Sequence, residues 1–157
     1  MIQILDGATT MGSFKHILFT TDLSDGSYTI AVKAKQLAED LHAKLSLVHV
    51  IEHSPMLYGS GEFAVPLDLD VEKSLEEQAH EHLAKQASEL NIPEDNRWVL
   101  VGSKKDEIVK LVHEISCDLI VVGAHDKHGL ALLMGSTADS LLHALPCNVL
   151  ALTLDDD

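Results

Sequence analysis

The chain has 157 residues, 46% hydrophobic but only 4% aromatic, with 25 acidic against 11 basic residues and a formal net charge of −14. That length and apolar content suit one domain with a sizeable core of Leu, Val, Ile and Ala, the usual material of helices packed on a parallel sheet. The acidic balance argues against nucleic acid or an anionic membrane as partner, while leaving room for a small phosphate ligand held by backbone N–H groups.

Residues 1–13 read as an N-terminal extension, 14–154 as the folded domain and 155–157 as an acidic tail. "KHILFTTD" (15–22) is a β-rich run ending in hydroxyls and a carboxylate. From Ser24 to Leu41 the apolar positions Ile30, Ala31, Ala34, Leu37, Ala38 and Leu41 recur at helical spacing. "AKLSLVHVIE" (43–52) is a second strand, in which His49 alternates with core residues and is expected to be a bonded, partly buried ring. Residues 53–68, with two Pro and two Gly, read as a long connection. Val71, Leu75, Ala79, Leu83, Ala87 and Leu90 mark one face of a long acidic helix.

"RWVLVG" (97–102) is a third strand. The next helix opens with Ser103 and Asp106 at capping-box spacing and carries the stripe Ile108, Leu111, Val112, Ile115. "CDLIVVG" (117–123) is a fourth strand. "STADSLLHAL" repeats the capping-box spacing with Ser136 and Asp139, Pro146 stops it, and "CNVLALTL" (147–154) is the last strand. Strand and helix alternate throughout. The expected fold is therefore α/β, an open, mainly parallel five-stranded sheet of Rossmann-like type with helices on both faces. Ligands of such sheets settle beyond the carboxyl ends of the strands where the strand order reverses, which directs attention to "TTDLS" and "GAHDKHG".

The segment "GAHDKHGLALLMGST" (123–137) is not a Walker A loop, since Gly129 and Gly135 are too far apart and the lysine is missing. A dinucleotide fingerprint would open the first helix, where "TTDLSDGS" stands instead, and "VLVGSKK" lacks the strand-end aspartate of a phosphoacceptor domain. What remains is a backbone seat for phosphate. Gly123 allows close approach, Gly129 a special backbone conformation, and Gly135 precedes Ser136 and Thr137 at the start of a helix. His125, Lys127 and His128 add local positive charge. Plain turn geometry is the competing reading of the glycines, and helix capping that of Asp22.

"DLIVVGAHDKHGLALLMGSTADSLLHALPCNVLAL", taken with "HILFTTDLSDGS" and "LSLVHVIE", resembles the universal stress protein family of the UspA type from Phe14 to Leu154. The resemblance implies a site for ATP or a related adenine nucleotide. Its signature is G-x-x-G, then nine intervening residues, then G-[ST]. Gly123 matches the first glycine, Gly135 and Ser136 the closing pair, and Gly129 with Leu130 a further common pair. Asp126 stands where the second glycine would be, and the interval from Gly123 to Gly135 is twelve positions rather than thirteen. Asp126 facing phosphates calls for a metal ion or Lys127 to offset its charge. The resemblance further implies that Thr20, Thr21, Asp22 and Val50 hold the adenosine, with Asp22 bonding base or ribose and Val50 giving an apolar wall or backbone bonds.

No Ser, His and acid arrangement suggests a hydrolytic triad; Asp22 and Asp126 are the carboxylates for a magnesium ion carried by ATP, so any hydrolysis would be slow and metal-assisted. His125 and His128 lack a third ligand at helpful spacing, and His80 and His82 fall on different sides of a helix. Neither Cys117 nor Cys147 belongs to a C-x-x-C motif, and reduced, buried thiols are expected. No stretch has the apolar length of a membrane span, and "MIQILDGATT" lacks the features of a secretory signal, so a cytoplasmic location is expected. The leading function is an ATP-binding regulator of stress responses acting on protein partners. The alternatives are a nucleotide-free dimeric adaptor and a slow ATPase that phosphorylates its own Ser136 or Thr137. The resemblance favours homodimers through "CNVLALTL".

Overall fold

A computed structural model describes residues 13–52, 69–124, 144 and 147–154. Five strands, β1 (His16–Thr20), β2 (Lys44–Ile51), β3 (Arg97–Val101), β4 (Leu119–Ala124) and β5 (Asn148–Thr153), form one sheet in the order β3-β2-β1-β4-β5. Every neighbouring pair is parallel, so the expected open α/β sheet is parallel throughout. Three helices are described, α1 (Asp25–Leu41), α2 (Leu69–Glu89) and α3 (Lys104–Glu114).

The strands are near-continuous apolar runs because both faces of the sheet are covered. Successive side chains point to opposite sides, so Ile17 and Phe19 of β1 join Leu45, Leu47, Leu119 and Val121 against Ile30, Ala34 and Ala38 of α1 and Leu83 and Ala87 of α2. Leu18 faces the other way with Val48, Val50, Ile120 and Val122, against Ile108, Leu111 and Val112 of α3. The chain moves from β1 to β2 to β3 in one direction and returns to β4 in the other; right-handed crossovers therefore put α3 opposite α1 and α2.

Two local expectations are corrected. The stripe predicted along α2 holds for Ala79, Leu83, Ala87 and Leu90, which are buried, but Val71 and Leu75 are 53% and 47% exposed. With 21 residues α2 extends about 31 Å, against roughly 17 Å for the five-residue β3, so its first turns overhang the strands. Ser103 does stand at the N-cap of α3, yet its side chain makes no capping bond. The Glu52 carboxylate instead accepts from the Lys104 amide at 3.4 Å and pairs with the Lys104 ammonium at 3.9 Å. Residues 53–68 and the helix expected from Ser136 lie outside the described residues.

Candidate functional site

The strand order reverses between β1 and β4. Thr20, the last residue of β1, is in register with Val48 of β2 and Val122 of β4, and the Thr21 amide extends the ladder by donating to the Val48 carbonyl at 2.9 Å. The chain then leaves the sheet through a tight turn. Leu23 takes a left-handed conformation, φ 66°, and Ser24 is the N-cap of α1, its hydroxyl accepting from the Ser27 amide at 3.1 Å. Asp22 is therefore not the cap itself. Its carboxylate accepts from the Ser24 amide at 2.9 Å and from the Ser24 hydroxyl at 2.5 Å, holding the capping residue in place.

A buried polar knot fixes this turn from below. Thr21 is only 6% exposed. Its hydroxyl accepts from the Leu23 amide at 3.0 Å, lies 2.9 Å from the Ser27 hydroxyl and donates to Gln86 Oε1 of α2 at 3.4 Å. Ser27 in turn accepts from the Asp22 amide at 3.3 Å, and Gln86 Nε2 donates to the Leu23 carbonyl at 3.4 Å. His49 Nδ1 donates to the Thr21 carbonyl at 2.8 Å, which leaves Nε2 as an acceptor in the neutral ring. His49 is thus the bonded, half-buried ring expected. Ser27 and Gln86 were not singled out from sequence. Ser27 lies three residues past a capping serine, and Gln86 is the polar position beside Leu83, Ala87 and Leu90, which is a signal too weak to name a contact.

Above the turn, on the α1–α2 face, a cleft of about 380 Å³ opens between Asp22, Leu23, Ser24 and His49 on one side and Leu75, Gln78, Ala79 and His82 of α2 on the other. The α2 residues follow helical spacing, so one face of the overhanging helix forms that wall. His80 does not line the cleft. Val50 is 7% exposed and packs in the α3-side core, so its backbone rather than its side chain is what it offers a ligand. By strand alternation Thr20 belongs to that same face. Gly123 is half-buried near the end of β4, in register with Leu152 of β5. The structure thus brings Thr20, Thr21, Asp22 and Val50 together with Gly123 at one end of the sheet. His125, Asp126, Lys127, His128, Gly129, Gly135, Ser136 and Thr137 lie outside the described residues. Among the described residues no three or more His, Cys, Asp or Glu side chains are arranged to hold a metal, and no helix is long and apolar enough to cross a membrane.

An open parallel sheet with its crevice at the reversal of strand order defines a doubly wound α/β domain, the architecture that receives ligands beyond its strand ends. Within that class the model of the universal stress protein family matches residues 13–153, and the chain belongs to this family. It is 38% identical over 143 residues to universal stress protein A homolog 1 of Coxiella burnetii (strain RSA 493 / Nine Mile phase I), covering 91% of this chain and 99% of the relative. Among solved structures it is similar in fold to the hypothetical protein MJ0577, at a TM-score of 0.69 and 22% identity, over 92% of this chain and 99% of the other. It is also similar to a universal stress protein solved in complex with cAMP, at a TM-score of 0.55 and 21% identity, over 90% and 98% of the two chains.

Proposed function

We propose that this universal stress protein binds ATP or a related adenine nucleotide across the carboxyl ends of β1, β2 and β4, and that the bound state regulates protein partners in the cytoplasm. The observation that carries the reading is the convergence of Thr20, Thr21, Asp22 and Val50 with Gly123 at the reversal of strand order. The residues present fit an adenosine. Asp22 is exposed and held by Ser24, a carboxylate suited to accept from ribose hydroxyls or an exocyclic amine, and the Val50 backbone borders the same strand end. A universal stress protein of like fold has been solved with cAMP, which supports an adenine ligand without fixing which one. The phosphates would fall to the segment from Gly123 to Thr137, with His125, Lys127 and His128 offsetting charge and Gly129, Gly135 and Ser136 offering backbone. Asp126 and Asp22 are the carboxylates for a magnesium ion brought with the nucleotide.

Isothermal titration with ATP and magnesium tests this. Saturable heat and a raised melting temperature are expected, and the absence of both at millimolar nucleotide would refute it. A second reading, a nucleotide-free homodimeric adaptor, is favoured by Asp126 in place of a glycine and by the shortened Gly123–Gly135 interval. β5 is a sheet edge with Leu150 and Leu152 half-buried, a strand able to pair with that of a second copy. Adenine nucleotide copurifying with the protein would count against this reading. Slow hydrolysis or phosphorylation of Ser136 or Thr137 would appear as released phosphate or protein label absent from a Gly135→Val variant.

A further inference from the structure

The two cysteines of the chain are thirty positions apart in sequence, yet the fold brings them together at the amino end of the sheet. Cys117 comes two residues before β4 and Cys147 one residue before β5; Leu119 is in register with Asn148, so the cysteines enter neighbouring parallel strands one residue out of step. That offset implies a Cα separation of roughly 6 Å, inside the range of about 4.4–6.8 Å that a disulfide accepts. Cys117 belongs to the α3-side core and Cys147 packs against that same cluster, so the register and the packing place the two side chains side by side. Cys117 is 7% exposed and its thiol donates to the Leu119 carbonyl at 3.2 Å, while Cys147 is half-buried and so the more accessible of the two.

We propose that Cys117 and Cys147 form a modification site, a reversible disulfide joining β4 to β5, made by exchange with a low-molecular-weight disulfide of the glutathione type. The Cys147 thiolate attacks one sulfur of the small disulfide and forms a mixed disulfide, expelling one small thiolate. The Cys117 thiolate then attacks Cys147 Sγ and expels the second. Two protein thiols are oxidised, one small disulfide is reduced to two thiols, and the two protons leave with them. Burial pushes the Cys117 thiol up to about 12 and raises that of Cys147 too, so neither is a fast nucleophile alone. What favours the second step is proximity, since the β4–β5 register already holds the attacking cysteine beside its target. The bond would close a covalent ring over residues 118–146, the stretch holding Gly123, Gly135 and Ser136, and would fasten the edge strand at its start.

The test is incubation of the folded protein with excess oxidised glutathione, read by intact mass and by peptide mapping without reductant. The wild type is expected to lose both free thiols without retaining glutathione, to yield the Cys117–Cys147 peptide pair within one chain, and to regain both thiols on reduction. Cys117→Ser is expected to retain one glutathione on Cys147, and the crosslinked wild type to melt roughly 5–10 °C above the reduced form. A wild type that stays fully reduced, holds glutathione as a stable adduct, or crosslinks only between chains would overturn the proposal. The wild-type mass decides the matter even if a serine variant fails to fold.

Discussion

Replacing Thr21 with Val keeps the shape of the side chain and removes one hydroxyl. In the folded protein that hydroxyl accepts from the Leu23 amide and from Ser27 and donates to Gln86. Solvent can replace the long Gln86 contact, which is only part-buried. It cannot easily reach the Ser27 hydroxyl, whose residue is 2% exposed, and it reaches the part-buried Leu23 amide only in part. The stranded Ser27 hydroxyl at about 1–3 kcal/mol, together with a Leu23 amide that water satisfies only in part, predicts a loss of about 2–4 kcal/mol. For a domain of this size, a melting temperature lower by roughly 5–12 °C follows. Calorimetry and urea unfolding measure it, and Thr21→Ser, which keeps the hydroxyl, should recover most of the loss. A Thr21→Val shift under about 2 °C would refute the claim that this knot holds the turn.

Gly102 sits at φ 149°, and a Cβ there would meet Glu107 Cγ at 3.1 Å, so Gly102→Ala should cost about 1–3 kcal/mol in urea unfolding, most of it from the backbone because the Glu107 chain can move. Ser116 follows α3 at φ 53°, and Ser116→Gly should add about 0.5–1 kcal/mol by relieving that conformation. His16 is 7% exposed, with Nδ1 donating to the Ile115 carbonyl at 3.0 Å and Nε2 accepting from Ser46 Oγ at 2.7 Å. Burial lowers its pKa from 6.5, outweighing the Ile115 bond, so the unfolded chain takes up the proton first. Stability should therefore fall as pH drops through 6.5, level off below the folded pKa, and lose that slope in His16→Gln melts.

The strands and the sheet's two-sided burial were legible because period and composition agree. Ile17 and Phe19 against Leu18 already name the two faces, and the repeated crossovers imply the parallel order. What sequence could not supply depends on neighbours far along the chain. Cys117 and Cys147, expected as reduced, buried thiols, come side by side only because β5 pairs with β4. Gln86 reaches Leu23 only because α2 crosses above the first turn, and Ser103 loses its capping bond because Glu52 arrives at the same helix end. Of the candidate site, Thr20 to Asp22 could be placed by the rule of strand ends, while Val50 came only with the family resemblance. The exchange of roles between Asp22 and Ser24 could not, since both are good capping residues two positions apart.

The way the described helices begin narrows where phosphate can be received. The first turn of α1 is closed by its own Ser24, itself held by Asp22. The first turn of α2 carries Asp70 and Glu72, and that of α3 has the Glu52 carboxylate against Lys104. Each of these ends already meets negative charge or a capping oxygen, which is what an incoming phosphate would have to displace. In dinucleotide-binding sheets the first turn is opened by glycines; here it is filled by Leu23 and a ring of hydroxyls. If the proposed nucleotide binds, its phosphates must therefore depend on the segment after β4. Gly135→Val should then weaken ATP binding at least a hundredfold in titration while leaving adenosine within about threefold, the difference being the lost phosphate contacts. Equal losses for ATP and adenosine would place the effect on the fold instead, and an unchanged ATP affinity would move the phosphates elsewhere.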